Sequence, residues 1–160
     1  QAKKERADAK AARMAAKVER ASIKARKEAI KTIAQLIADA QIVFNAFIRE
    51  RDKGKGCFVC GRPFTDKPGQ VQHAGHVRSR GAAGHLRFNE DNCHGECEGC
   101  NGPHGAKPHQ IEAGAIARIG AERYAELCAD NTPHKWQRDE LIAIKREYRA
   151  KLKDIQKGET

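Results

Sequence analysis

The chain has 160 residues, of which 32% are charged and 5% aromatic, and its formal net charge at pH 7 is +10. That composition allows one domain plus an extension, with a small or divided core, and excludes a large aromatic interior. No apolar run approaches the roughly 20 residues of a membrane span and no secretory leader pattern is present, so the basic excess points to nucleic acid rather than to a membrane.

The excess is uneven. Residues 1–52 carry +6, residues 53–110 carry +3 and residues 111–160 carry +1. Six cysteines, four of them in paired spacing, suit a reducing cytoplasm in which thiols remain available for metal. The first residue is Gln1 rather than Met, as expected of a piece trimmed from a longer chain.

Residues 1–29 are almost wholly Ala, Lys, Arg and Glu, with Met14 and Val18 as the larger apolar residues before Ile23. Helix propensity is high but the apolar stripe is thin. The segment reads as a basic helical arm laid on phosphates or as a solvated tether.

From Ile30 the pattern sharpens. Ile30, Ile33, Ile37, Ala40, Phe44 and Phe47 follow helical steps, widened by Leu36 and Val43. Residues 30–52 are therefore expected to form an amphipathic helix ending near Asp52. Its face needs cover, either from the rest of the chain or from a second copy in a homodimer. Lys53-Gly54-Lys55-Gly56 is a stop and a turn.

Residues 53–110 hold the densest signal. Cys57-Phe-Val-Cys60 and Cys97-Glu-Gly-Cys100 are two Cys-x-x-Cys knuckles, a four-thiolate pattern for structural Zn²⁺. Disulfides or buried free thiols are the plainer readings. The leftover Cys128 reads as a buried small hydrophobe, and Cys93 stands near the second pair. The thirty-six residues between the pairs must fold as an insert that the metal clamps. Val71–Val77 reads as one strand and His85–Phe88 as the returning strand, joined through the glycine-containing loop Ser79–Gly84.

Residues 111–160 read as helical. One helix through Ile111, Ala115, Ile119, Tyr124 and Leu127 is interrupted near Gly120. A last helix through Leu141, Ile144, Tyr148, Leu152 and Ile155 is expected to pack on residues 30–52.

The insert carries the elements of phosphodiester hydrolysis: a base, a ligand for a divalent cation and cations to hold phosphate. His76 ends the first strand, and a neutral imidazole suits the base. Asn101 directly follows the last thiolate, and its amide oxygen is a hard ligand fit for Mg²⁺. Arg78, Arg80, Arg87 and Lys107 are candidate phosphate contacts. His94 could touch phosphate or pack beside the zinc, and His104 could bind phosphate or complete the cation's shell.

This arrangement resembles the HNH nucleases, the ββα-metal fold, whose zinc-bound versions include phage endonuclease VII with the same Cys-x-x-Cys-Asn ending. The runs Phe44-Asn-Ala-Phe-Ile-Arg-Glu-Arg-Asp52, Ala74-Gly-His76, Leu86-Arg-Phe-Asn-Glu90, Arg118-Ile-Gly120 and Ala143-Ile-Lys145 resemble the NinG (Rap) recombination proteins of lambdoid phages. The resemblance implies an α+β, mostly α protein: a zinc-stapled ββα-metal unit flanked by a long amino-terminal helix and carboxy-terminal helices. It implies an endonuclease for Holliday junctions and other branched DNA, using Mg²⁺ or Mn²⁺ in the bacterial cytoplasm.

By that resemblance His76 is the general base, Asn92 ties the loop that orients it, and Asn101 holds the catalytic cation. Many HNH enzymes place Asp or His immediately before the base. Here that position is Gly75, and His73 is the candidate substitute ligand, expected to need a bulge at Ala74-Gly75. The rival reading is a zinc-stapled nucleic-acid-binding protein without catalysis.

Overall fold

A computed structural model describes residues 2–102 and 105–158. They fall into two compact units, residues 1–35 and 36–160. The first is essentially helix α1 (Ala2–Ala29), an exposed helix on which even Met14 and Val18 are more than half exposed. Helix α2 (Ile33–Asp52) starts three residues after the sequence pattern suggests. Thr32 sets the start: its hydroxyl accepts from the Gln35 amide (3.2 Å), and the Gln35 side chain accepts from the Thr32 amide (2.9 Å).

The core of the second unit is built on α2. Its buried row is Leu36, Ala40, Phe44, Phe47 and Ile48, whereas Ile30 and Ile42 lie in solvent. Helix α6 (Arg138–Gln156) covers that row with Leu141 and Tyr148. Phe44 meets Tyr148 edge-on at 4.7 Å and Phe88 at 5.7 Å between ring centroids. Edge-on pairs of this kind add about 0.5–1.5 kcal/mol each beyond their area. Lys145 pairs with Asp39 at 2.6 Å beside them. The expected packing of the last helix on α2 is thus present, and this apolar face is covered within the chain rather than left for a second copy.

The sheet has two antiparallel strands, β1 (Gln72–His76) and β2 (Cys93–Cys97), in unbroken register from Gln72 opposite Cys97 to His76 opposite Cys93. The returning strand is therefore Cys93–Cys97, not His85–Phe88. Residues Gly84–Leu86 form a tight 3₁₀ turn, with the Leu86 amide on the Ala83 carbonyl. Leu86 packs in a small cluster with Ala83 and Leu127, while Phe88 packs on Phe44. Two apolar residues serving separate clusters mimic the alternation of a strand.

The outer edge of β2 is closed by groups from outside the sheet. Asp52 Oδ2 accepts from the Gly95 amide (2.8 Å), Arg51 donates to the Cys93 carbonyl (2.8 Å), and the Phe58 amide donates to the Gly95 carbonyl (2.9 Å). All five β2 residues are buried as a result.

Helix α3 (Glu98–Asn101) follows β2 directly and packs against both strands. Helices α4 (Pro108–Ile119) and α5 (Ala121–Ala129) meet at Gly120, whose φ of 85° makes the expected break. Arg118 of α4 donates to the Lys55 and Gly56 carbonyls (3.1 and 2.7 Å), fastening the helix to the turn before Cys57. Cys128 on α5 is exposed, not buried, because the buried side of that short helix is taken by Leu127. No described helix is long and apolar enough to cross a membrane.

Candidate functional site

The site is assembled from both ends of the hairpin. Cys57 and Cys60 lie on a knuckle whose Cys57 amide donates to Arg62 O (2.8 Å) and whose Gly61 amide returns to Cys57 O (2.9 Å). Gly61 sits at φ 73°, a conformation that glycine supplies without strain. Cys97 closes β2 and Cys100 lies on α3. Their turn is held by Glu98 N to Val71 O (2.9 Å), Gly99 N to Gly69 O (3.0 Å) and Gly69 N to the Glu98 carboxylate (2.7 Å).

The four sulfurs all lie within 4.8 Å of one another, and those of Cys60 and Cys97 are 3.7 Å apart. A tetrahedral Zn²⁺ with bonds of about 2.3 Å requires sulfur separations of about 3.8 Å. The cluster could therefore hold structural zinc, and all four cysteines are free thiols rather than disulfides. Cys93 belongs elsewhere: it is buried in the core, where burial pushes its thiol up to about 12.

His76 ends β1 with its ring fixed. Its Nε2 lies 3.0 Å from the Arg87 carbonyl, which can only accept, so the proton is on Nε2 and the lone pair on Nδ1. The Cys93 sulfur is 3.9 Å from Nδ1. Burial pushes the His76 pKa below its ordinary value; the Arg87 carbonyl opposes this, and the charges of Arg80 and Arg87 reinforce it.

Asn92 is fully buried and uses its whole amide. Its Oδ1 accepts from the Arg78 amide (2.8 Å), and its Nδ2 donates to the Arg78 and Leu86 carbonyls (3.1 Å each). With the Val77 amide on the Asn92 carbonyl (2.9 Å), this closes the loop that presents the Arg87 carbonyl to His76.

Strand alternation puts His73 and Gly75 on one face of β1 and His76 on the other. The expected bulge at Ala74-Gly75 is absent: the register is unbroken, and His73 and His76 stay on opposite faces. Gly75, the position immediately before the base, already shares its face with His73, so regular backbone carries His73 to the side where that ligand position lies. Asn101 ends α3 with an exposed side chain that makes no hydrogen bond among the described residues.

The basic candidates separate. Arg80 is exposed, without hydrogen bond or ion pair among the described residues. Arg87 reaches the Gln41 side chain (3.3 Å) and keeps a buried Nε with no acceptor. Arg78 is engaged internally, donating to the carbonyls of Leu127 (2.9 Å) and Asp130 and to Asn131 Oδ1 (2.7 Å). Lys107 is exposed at the start of α4. His94 is buried, its Nε2 on the Asp91 carbonyl (2.9 Å) and its Nδ1 facing Arg51 (3.3 Å). Burial and then the Arg51 charge push His94 down to about 4, so it is a neutral packing residue rather than a surface group for phosphate. His104 lies outside the described residues.

Three groups on or beside the hairpin, the half-buried Arg51 and the buried Asp52 and Glu96, are not singled out by the sequence. Arg51 and Asp52 close the β2 edge, and Glu96 sits on the His73 face opposite His73 itself. Burial pushes Glu96 up to about 7. Placing the returning strand at residues 93–97 would have exposed Glu96, since period two then pairs it with His94 on one face.

The family model described as Bacteriophage Lambda NinG protein matches residues 1–159. The chain belongs to the NinG family. It is 40% identical over 129 residues to protein ninG of Escherichia phage lambda, covering 79% of this chain and 60% of that relative. Protein ninG of Salmonella phage P22 is 39% identical over 127 residues, covering 79% and 61%. The protein ninG of Escherichia phage 933W gives 39% over 129 residues with the same coverage. This NinG chain thus spans about three fifths of the length of those relatives. No solved structure matches it.

Proposed function

We propose that this NinG-family chain is an HNH-type, metal-dependent endonuclease that cuts Holliday junctions and other branched DNA in the bacterial cytoplasm. The observation that carries the reading is the setting of His76. A backbone carbonyl fixes its tautomer, a fully buried Asn92 fixes the loop supplying that carbonyl, and the lone pair remains on Nδ1. A depressed pKa keeps the imidazole neutral, as a general base requires.

In this reading Nδ1 of His76 takes a proton from water, which attacks the phosphorus in line with the departing 3′ oxygen and leaves a 5′-phosphate. Arg80, exposed and without a hydrogen bond or ion pair among the described residues, lies near enough for its charge to act on His76 and would meet phosphate oxygens. Asn101 and His73 would hold Mg²⁺ or Mn²⁺. That cation, when bound, supplies charge neutralisation at the phosphate and leaving oxygen. The Cys57/Cys60/Cys97/Cys100 zinc is structural, since four thiolates leave no open position. Paired cuts across a junction favour a homodimer, for which the face of α2 already covered by α6 is not the contact.

The test is a synthetic four-way junction incubated with the zinc-loaded chain, with and without Mg²⁺ or Mn²⁺, using wild type and His76→Ala. Metal-dependent cutting that His76→Ala abolishes while junction binding persists supports the reading. Binding without cutting by the wild type leaves the non-catalytic DNA-binding protein in its place.

A further inference from the structure

Glu96 is 5% exposed and makes no hydrogen bond or ion pair among the described residues. A buried carboxylate without a partner is costly, and such groups are normally paired or bound to metal. Its oxygens are not sealed in, because the only fully enclosed side-chain atom lacking a partner among the described residues is Arg87 Nε. A small solute can therefore reach them.

The side chain of Glu96 has a specific place. Its residue lies directly across from His73, and the side chain leans diagonally over Gly75. A Cβ built on Gly75 would overlap Glu96 Oε2 and come within 2.8 Å of Glu96 Cβ and Cδ. Any larger residue at position 75 would have to displace this carboxylate. The space that a side chain at position 75 would occupy on β1 is filled by a carboxylate from β2.

We propose that Glu96 is a ligand of the divalent cation, supplying from β2 the anionic oxygen that Gly75 cannot. This inference rests on the nuclease reading above. His73 and Asn101 are neutral ligands, and two neutral groups offset none of the charge of Mg²⁺ or Mn²⁺. Glu96 adds a negative hard oxygen on the same face as His73. The pairing of glycine at 75 with glutamate at 96 is then a transfer of the ligand across the hairpin, and the two positions act as one unit.

The test is Mn²⁺ titration of the full zinc-loaded chain, with free Mn²⁺ read by electron paramagnetic resonance, for wild type, Glu96→Gln and His76→Ala. Glu96→Gln keeps the shape and should weaken Mn²⁺ binding at least tenfold, with zinc content by native mass spectrometry unchanged. His76→Ala should bind Mn²⁺ as wild type does. Without any substitution, Mn²⁺ should broaden the amide resonances of His73, Gly75 and Glu96 before others. Equal affinity in Glu96→Gln, or broadening that spares these three, overturns the assignment. Junction cutting by both wild type and Glu96→Gln would sink this inference and spare the nuclease. No cutting by wild type, with Glu96-dependent Mn²⁺ binding intact, would sink the nuclease and leave a cation site.

Discussion

The Nε2 of His76 lies 3.0 Å from the carbonyl oxygen of Arg87, eleven residues on. That bond leaves Nδ1 as the unprotonated nitrogen, with the Cys93 sulfur 3.9 Å from it, and burial, reinforced by the charges of Arg80 and Arg87, holds the ring neutral. The cutting rate should rise with pH and level off at a midpoint below 6.5, since a depressed pKa empties the proton from Nδ1 earlier than usual. Single-turnover rates on a junction at pH 5–8 test this. A midpoint at or above 6.5 would contradict the buried, carbonyl-held ring. His76→Ala should lower the rate by about 10²-fold or more.

Asn92→Ala removes three hydrogen bonds from an interior site and leaves buried backbone groups without partners. The expected loss is on the order of 3 kcal/mol by urea denaturation. Cutting should fall further than the folded fraction does, because the loop that carries the Arg87 carbonyl is no longer held.

Asp52 is 1% exposed. Burial raises its pKa, but Arg51, the Gly95 amide and Lys55 outweigh burial and bring it from 3.8 down to about 2. A folded-state value below the unfolded one means stability that is full above pH 3.8 and lost as pH falls through about 2. The shift corresponds to roughly 2 kcal/mol. Asp52→Asn should cost about that much at pH 7 and far less near pH 2, which parallel denaturation curves would resolve.

Arg78 and Arg80 are two residues apart and should behave differently. Arg78→Ala should lower the melting temperature, since its guanidinium ties the insert to the end of α5 at Leu127, Asp130 and Asn131. Arg80→Ala should leave melting unchanged and flatten the salt dependence of junction binding by about one phosphate contact. Equal effects of the two on affinity would mean that Arg78 leaves its internal partners when DNA arrives.

Chelation or Cys97→Ser should release the metal and loosen β2, because Cys97 is both the end of the strand and a ligand. One zinc per chain by native mass spectrometry, with loss of strand signal on removal, is the expected result. A metal-free chain of unchanged structure would assign the four thiols a packing role.

Much of the architecture is legible in the residues alone. The Cys-x-x-Cys spacing locates the sulfur cluster, the helical steps through Phe44 locate α2, and Gly120 marks a real break. The returning strand is not legible, because Leu86 and Phe88 serve two clusters and imitate alternation while the backbone winds into a turn. The true strand, Cys-His-Gly-Glu-Cys, has little β propensity. It is extended because Asp52, Arg51 and Phe58 satisfy its outer edge, and that is a tertiary effect. Glu96 was hidden by the same misplacement, and the internal use of Arg78 depends on carbonyls fifty residues away.

The closing of the β2 edge by the last turn of α2 bears on how such a unit can be moved between proteins. A fragment cut at the first cysteine would keep every thiol and His76, yet would bare the Gly95 amide and the Cys93 carbonyl to any passing strand. Such an excised cassette would template its own aggregation. A graft onto another scaffold has to bring Arg51 and Asp52 with it.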